Sequence, residues 1–136
     1  MNIRPGTEAD LDAIAAIQGE SDEAAHWRPA EYLAYSLRIA VESGRAVGFV
    51  VTRDLAAGES EILNLAVRQD CRRSGVGAAL VREALSASPG VYYLEVRESN
   101  TVARNFYKSM GFGETGRRRK YYNDPDEDAI VMRIRS

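Results

Sequence analysis

The fold is decided by the stretch Ile62-Leu63-Asn64-Leu65-Ala66-Val67-Arg68-Gln69-Asp70-Cys71-Arg72-Arg73-Ser74-Gly75-Val76-Gly77-Ala78-Ala79-Leu80. Its first six residues are an apolar run of strand length, and apolar residues recur at helical spacing from Val76 onward. The turn between them is basic and carries Gly75 and Gly77. Glycines at a helix start let backbone N–H groups approach a ligand, and first-turn N–H groups have no partner inside the helix. The stretch therefore predicts a strand, a turn suited to a phosphate or diphosphate, and a helix. A plain strand-to-helix turn with solvated arginines also fits this stretch.

Two general phosphate-binding motifs fit the turn less well. The G-x-x-x-x-G-K-[ST] loop is absent, because no lysine follows either glycine. The dinucleotide motif G-x-G-x-x-G fits in part, since Leu80 stands where the third glycine belongs. Glu95 does lie at a suitable distance for the ribose carboxylate of that motif. The match to the dinucleotide motif is therefore partial, and a dinucleotide site stays open as an alternative at this point.

Composition and charge limit the class of protein. A chain of 136 residues suits one domain, here taken as residues 1–136, and its 45% hydrophobic and 28% charged fractions are those of a soluble globular protein. The formal net charge of -2 gives no general attraction to nucleic acid. One cysteine and one histidine allow neither an internal disulfide nor a histidine metal cluster. With no apolar run of membrane length and no signal-peptide pattern, we expect a cytoplasmic protein that needs no metal and no membrane.

Periodicity and turn residues predict the order of the elements. Strands are predicted at about 2–4, 37–41, 46–52, 62–67, 91–96, 112–119 and 129–135. Helices are predicted from a capping box at Thr7 to about Gln18, from Pro29, from Val76, and from Ser99 or Asn100 to Gly111. A strand, a helix and a strand over residues 62–96 form a βαβ unit with parallel strands. The sequence thus predicts an α/β fold, with a mixed sheet of six to seven strands and helices on both faces.

Several segments together resemble one family. Arg72-Arg73-Ser74-Gly75-Val76-Gly77 resembles the Q/R-x-x-G-x-G/A loop of the Gcn5-related N-acetyltransferases (GNAT), which holds the diphosphate of acetyl-CoA, although Arg72 stands where the family often has Gln. Segments 93–100, 103–107 and 110–112 resemble the RimI-type branch, and segments 118–122 and 127–132 resemble its C-terminal signature. The resemblance is strong from Ile62 onward, and before residue 60 it is confined to the surroundings of Trp27.

This resemblance implies a fold, an activity and a binding site. The central parallel strands would be splayed around acetyl-CoA, and the acetyl group would pass to the N-terminal alanine of a small-subunit ribosomal protein. One backbone N–H beside the pantetheine would steady the developing oxyanion. The residues assigned to acetyl-CoA by the resemblance are Leu65, Ala66, Val67, Arg72, Arg73, Ser74, Gly75, Val76, Gly77, Ala78, Asn100 and Tyr107.

Acetyl transfer to an amine requires a neutral amine and a proton for the departing thiolate. A terminal α-amine has a pKa of about 7.7 to 8.0, so modest general-base assistance suffices. The resemblance implies Glu95 as that base, acting through a water, and an ion pair of Glu95 with Arg97 or Arg118 is its structural alternative. Glu59 and Glu61 are rival bases, because other branches place the base on the strand before the phosphate loop.

The resemblance also implies Tyr107 as the general acid. Its structural alternative is a core aromatic, on one helix face with Val102 and Phe106. Cys71 could be a nucleophile, but no histidine accompanies it in sequence, so direct transfer is favoured.

The substrate is expected to be a protein or peptide N-terminus, in particular that of a basic ribosomal protein. Tyr121 and Tyr122 with the acidic loop 124–128 would form one lip of the substrate mouth. Tyr32, Tyr35 and an acidic segment containing Glu20, Asp22 and Glu23 would form the other. The basic run 117–120 alternates between two strand faces, so no direct nucleic-acid contact is expected. The chain is expected to be a monomer or weak dimer.

Two other functions stay open from sequence. One is an acetyltransferase for a small amine or antibiotic, which the same loop and sheet would serve. The other is a non-catalytic acyl-CoA-binding module that regulates a partner, which the presence of both Glu95 and Tyr107 disfavours.

Overall fold

The boundaries of the helices and strands follow the caps and turns of the chain. The computed structural model describes residues 1–21, 27–123 and 126–136. The strands are β1 (Asn2–Pro5), β2 (Ser36–Glu42), β3 (Arg45–Ala56), β4 (Glu59–Val67), β5 (Val91–Arg97), β6 (Gly113–Tyr122) and β7 (Glu127–Arg135). The α-helices are α1 (Leu11–Gly19), α2 (Val76–Ala87) and α3 (Thr101–Ser109), and short 3₁₀ helices span Glu8–Asp10, Pro29–Ala34 and Gln69–Cys71.

Two of the predicted caps are present. The capping box forms at the start of the first helical segment, where the Thr7 N–H donates to the Asp10 carboxylate at 2.8 Å. The same carboxylate accepts two hydrogen bonds from Arg4, at 2.7 and 2.8 Å, which fixes β1 against this helix start. At α3 the Asn100 side chain accepts a hydrogen bond from the Ala103 N–H at 3.1 Å. Asn100 is therefore the N-cap, and the alternative cap, Ser99, is not.

In the described part of the chain, seven strands form one mixed sheet in the order β1-β2-β3-β4-β5-β7-β6. β4 and β5 are parallel, and the other neighbouring pairs are antiparallel. The predicted βαβ unit and the α/β fold are confirmed. A hairpin at Ser43-Gly44 joins β2 to β3, and β6 and β7 form an antiparallel pair at the end of the chain.

The central parallel pair separates along its length. β4 and β5 pair only where Glu59–Glu61 faces Val91–Tyr93, although β4 continues to Val67 and β5 to Arg97. A gap therefore opens between the carboxyl ends of the two strands, where open α/β sheets place their ligands. This gap begins next to a β-bulge in β4, because Val51 pairs with Asn64 and Thr52 with Ile62, which leaves Leu63 without a partner.

The two faces of the sheet carry separate apolar clusters. The α1-side cluster joins Ile14 and Ile17 of α1 and Tyr32 of the Pro29–Ala34 helix to β2, β3 and β4. The α2-side cluster joins residues of α2 and α3 to the opposite face, with Leu80 completely buried. Helices on both faces are thus confirmed.

One predicted core position is wrong. Val102 was expected on the buried face of α3, but its side chain is 77% exposed. The residues that pack against the α2-side cluster are Ala103, Phe106, Tyr107 and Met110, at the i, i+3, i+4 and i+7 spacing of one helix face. Val102 lies one position before that face.

Some predictions lie outside the described residues, namely the lip residues Asp22 and Glu23 and the first part of the acidic loop at Asp124. Within residues 1–21, 27–123 and 126–136, no helix is both long and apolar enough to cross a membrane.

Candidate active site

The glycine turn between β4 and α2 leads directly into the first turn of that helix. Gly75 is the N-cap of α2 with φ of 88°, a left-handed conformation that a residue with a Cβ adopts only with strain. The first hydrogen bond of α2 runs from the Ala79 N–H to the Gly75 carbonyl at 3.0 Å. The N–H groups of residues 76–78 therefore have no partner within the helix, and their partial positive charge suits a diphosphate.

The two arginines of the turn differ in their contacts. The Arg72 side chain donates to the carbonyls of Val67, at 3.3 Å, and Glu20, at 3.2 Å. Arg73 is exposed and has a φ of 62°. Arg73 is therefore the better placed of the two for a phosphate, and the assignment of both to acetyl-CoA stays a prediction.

Glu20 belongs to this turn rather than to the substrate lip. Its carboxylate accepts a hydrogen bond from the Gln69 N–H at 2.9 Å and lies 4.0 Å from Arg68. These contacts tie the end of α1 to the segment that follows β4. The expectation that Glu20 faces a substrate is not supported, because its carboxylate is already paired.

Glu95 lies on β5 where that strand has left β4. Its neighbours Leu94 and Val96 belong to the α2-side cluster, so Glu95 faces the α1 side of the sheet. One carboxylate oxygen, Oε1, lies 3.0 Å from Nε of Arg118. The other, Oε2, is buried and has no hydrogen-bond partner among the described residues. Burial raises the pKa of the Glu95 carboxyl; the Arg118 guanidinium opposes this rise and the Glu61 carboxylate adds to it.

The rival carboxylates are arranged differently. Glu61 is 2.7 Å from the Arg53 guanidinium and accepts a further hydrogen bond from Arg53 Nε at 2.9 Å. Glu59 lies at the opposite end of β4 from the gap, where it pairs with Val91. Of the three carboxylates, Glu95 has the buried oxygen available to bind an amine or a water.

Tyr107 lies on α3 against the α2-side cluster. Its ring contacts Phe106 and Phe112 edge-on, with centroids at 5.1 and 5.4 Å. Burial raises the pKa of its hydroxyl well above the ordinary value, with no hydrogen bond from the described residues opposing the shift. The ring is thus a core aromatic, as the structural alternative had it, and its hydroxyl stays protonated at neutral pH.

Aromatic side chains form two groups on the described surface, one in residues 27–35 and one at the end of β6. Trp27, Glu31, Ala34 and Tyr35 line a shallow surface pocket. Tyr121 and Tyr122 of β6 contact each other at 5.2 Å, and Arg118 and Arg97 lie over their rings at 5.2 and 4.5 Å. The expected lip residue Tyr32 is instead completely buried. Tyr35 and Tyr121 are exposed, and the place of Tyr35, Tyr121 and Tyr122 on the lips of a substrate mouth stays a prediction.

One polar residue that bears on the site was missed from sequence. Asn64 is 7% exposed and stands at the β4 bulge, where it hydrogen-bonds to side chains of α1 and the Pro29–Ala34 helix. An asparagine inside an apolar strand run was the available signal, since a buried amide needs partners.

Other chemistry is not supported by the described residues. The hydrogen bond from Cys71 to Asp70 raises the pKa of the thiol, which disfavours a nucleophilic thiolate. The described part of the chain holds no group of three or more His, Cys, Asp or Glu residues that could bind a metal.

Comparisons with known proteins agree with this geometry. The model of the acetyltransferase (GNAT) family matches residues 8–112. An uncharacterised N-acetyltransferase of Methanocaldococcus jannaschii is 34% identical over 97% of this chain and 90% of its own length. The [ribosomal protein bS18]-alanine N-acetyltransferase of Escherichia coli is 35% identical over 76% of this chain and 71% of its own.

A solved structure extends the similarity to the whole chain. The crystal structure of Ard1 from Thermoplasma volcanium superposes with a TM-score of 0.89 at 30% identity, covering 98% of this chain and 96% of that one. The splayed parallel strands and the glycine turn described above fit the acetyl-CoA that this family uses. The chain therefore belongs to the GNAT family and is an acetyl-CoA-dependent N-acetyltransferase.

Proposed function

We propose that the protein is an Nα-acetyltransferase, with residues 1–136 acting as one catalytic domain in the cytoplasm. Its substrate would be the N-terminal alanine of a basic small-subunit ribosomal protein. The observation that carries this proposal is the Glu95 carboxylate, of which one oxygen is held by Arg118 and the other is buried and available. Such a group can accept a proton from an amine, directly or through a water, at the open end of the parallel pair.

The raised pKa of Glu95 suits this role. A base is most effective when its pKa approaches the working pH, and burial moves the Glu95 carboxyl in that direction. The Arg118 guanidinium opposes this rise in pKa and so favours the ionised carboxylate. An α-amine with a pKa near 8 needs no stronger base.

Tyr107 would supply the proton for the departing CoA thiolate. Its raised pKa keeps the hydroxyl protonated at neutral pH, so a proton is present when the thiolate departs, and its buried ring fixes the hydroxyl in place. Backbone groups of Leu65–Val67 would bind the pantetheine arm, and the α2 N-terminus with Arg73 would bind the diphosphate.

The surface around the opening supports a polypeptide substrate. Trp27 and Tyr35 offer apolar area beside the Glu31 carboxylate, and aromatic rings with an acid suit a basic side chain near the substrate N-terminus. The named E. coli relative acts on a ribosomal protein alanine, which is consistent with this assignment.

The test is mass spectrometry of peptides incubated with acetyl-CoA and the protein. One peptide begins with a free Ala-Arg, a second has a blocked N-terminus and free lysines, and small amines form a third group. We expect acetylation at the free alanine amine alone. Transfer only to small amines would overturn the substrate assignment, and binding of acetyl-CoA without any transfer would indicate a regulatory module.

A further inference from the structure

A largely buried chain of hydrogen bonds joins the β4 bulge to the backbone of Trp27, at the start of segment 27–35. Asn64 Oδ1 accepts from the Leu65 N–H at 3.0 Å, and Asn64 Nδ2 donates to the Tyr32 hydroxyl at 3.0 Å. The Tyr32 hydroxyl donates to Gln18 Oε1 at 2.5 Å, and Gln18 Nε2 donates to the Trp27 carbonyl at 2.7 Å. Gln18, Tyr32 and Asn64 are at most 7% exposed, so these bonds form away from water.

The geometry assigns the roles of the amide atoms. A backbone N–H can only donate, so Asn64 must present its oxygen to Leu65 and its nitrogen to Tyr32 and Gln18. Gln18 Oε1 also accepts from Asn64 Nδ2 at 3.3 Å, which closes a triangle of three side chains. Rotation of either amide would leave a buried donor facing a donor, so the network has one satisfied arrangement.

The bulge makes this arrangement possible. Because Leu63 is inserted between paired positions, Leu63 and Asn64 both face the α1 side, whereas regular alternation would turn Asn64 away. The next residue, Leu65, already lies beside the gap between β4 and β5. A single amide thus contacts both the cofactor-facing backbone and the segment that carries Trp27 and Tyr35.

We propose that Asn64 is a positioning residue that couples the peptide-binding segment 27–35 to the backbone that binds the thioester end of acetyl-CoA. This inference rests on the proposed function, because it takes segment 27–35 as the peptide site. A peptide that packs against Trp27 favours the position in which the Trp27 carbonyl accepts from Gln18, and through Tyr32 and Asn64 it stabilises the Asn64–Leu65 peptide group. Binding at one site therefore strengthens binding at the other.

The experiment measures the affinity for CoA, which cannot transfer an acetyl group, with and without saturating Ala-Arg peptide. For the wild type we expect the peptide to lower the Kd of CoA by about fivefold, within the usual range of coupling between sites. Tyr32→Phe keeps the buried ring and removes one hydroxyl, and Asn64→Ala removes the amide. In both variants we expect the peptide to lower the Kd of CoA by less than about twofold.

Tyr92→Phe is the matched control. It also removes a buried tyrosine hydroxyl, which donates to the Ala84 and Ser88 carbonyls on the opposite face, so it loses similar stability without touching the network. We expect the wild-type ratio in this variant. Two outcomes would overturn this inference and leave the proposed function standing. In the first, Tyr32→Phe keeps the wild-type effect of peptide on the Kd of CoA. In the second, the wild type acetylates the peptide but its Kd for CoA does not change when peptide is added. A wild type that turns over no peptide would instead overturn the proposed function.

Discussion

Arg118 holds one oxygen of Glu95 at 3.0 Å and leaves the other buried oxygen without a partner among the described residues. Asp10, by contrast, uses both of its oxygens in its ion pair with Arg4. At Glu61 both contacts with Arg53 are made by one oxygen, Oε1, so Glu95 differs from Glu61 in that its remaining oxygen is buried, where an amine or water can bind.

Replacing Glu95 with Gln is expected to lower kcat by about 100-fold or more, because general-base assistance is usually worth that much. The amide has the same shape and cannot accept a proton, so the Kd of CoA should stay within about twofold of the wild type. Initial rates with saturating Ala-Arg peptide and calorimetric titration of CoA measure these two quantities. Glu61→Gln is the control for a neighbouring carboxylate and should retain activity within about threefold. If Glu61→Gln lowers kcat more than Glu95→Gln does, Glu61 is the base.

The pH dependence of kcat should change when Arg118 is removed. Burial already raises the pKa of Glu95, so the ionised base is lost on acidification at a higher pH than for a free glutamate, whose pKa is about 4.3. Arg118→Gln removes the positive charge that lowers the pKa of Glu95, so the pKa should rise further. The acidic limb of the kcat–pH profile should therefore move to higher pH. Arg117→Gln is a matched control on the same strand, because Arg117 pairs with Glu98 and Asp128 instead. Equal profiles for the two variants would contradict the role of Arg118.

Local sequence was enough to predict the elements that bring the site together. The glycine turn, the βαβ unit and the Asn100 cap depend on residues close in the chain, where turn chemistry and periodicity act directly. The parallel pairing of β4 and β5 followed from the length of their connection.

What sequence could not predict depends on distant contacts. Arg72 and Glu20 are 52 positions apart, and nothing in either local pattern indicates that they meet. The Asn64 network joins three elements through a bulge, and an insertion of one residue that reverses strand alternation has no periodic signal. At Val102 the sequence predicts a contact that does not form. The residue is apolar and lies on α3, but it falls outside the buried face of that helix and is exposed.

Tyr107→Phe separates the hydroxyl from the ring. The ring contacts with Phe106 and Phe112 persist in the variant, so its thermal midpoint should stay within a few degrees of the wild type. Loss of the proton donor should lower kcat by about 10- to 100-fold with little change in the KM for acetyl-CoA. Steady-state rates and a thermal scan measure both effects. Full activity in this variant would leave Tyr107 as a core aromatic only.

Gly75→Ala and Gly77→Ala should affect stability in opposite directions. Gly75 has a φ of 88°, so an added Cβ is strained and the variant should lose stability. At Gly77 a Cβ would lie 3.5 Å from the Phe106 ring, an ordinary contact, and alanine inside a helix is more stable than glycine by up to about 1 kcal/mol. If the diphosphate lies over this turn, Gly75→Ala should also weaken CoA binding, because strain at this N-cap displaces the first N–H groups of α2. The family loop accepts alanine at position 77, so Gly77→Ala should keep the Kd of CoA within about twofold of the wild type. Thermal unfolding and CoA titration on both variants test this, and unchanged CoA affinity in Gly75→Ala would place the diphosphate elsewhere.

The two arginines of the turn can be separated by the salt dependence of CoA binding. Arg73 is exposed beside the α2 N-terminus, whereas Arg72 donates to the carbonyls of Val67 and Glu20. Arg73→Ala should therefore weaken CoA binding by about tenfold and reduce its decline with added salt, because a phosphate contact is lost. Arg72→Ala should lower the thermal midpoint by loosening α1 from the turn and leave the salt dependence of the CoA Kd unchanged. A flattened salt dependence in Arg72→Ala would show that its guanidinium turns to the diphosphate when CoA binds, in exchange for its two carbonyl partners.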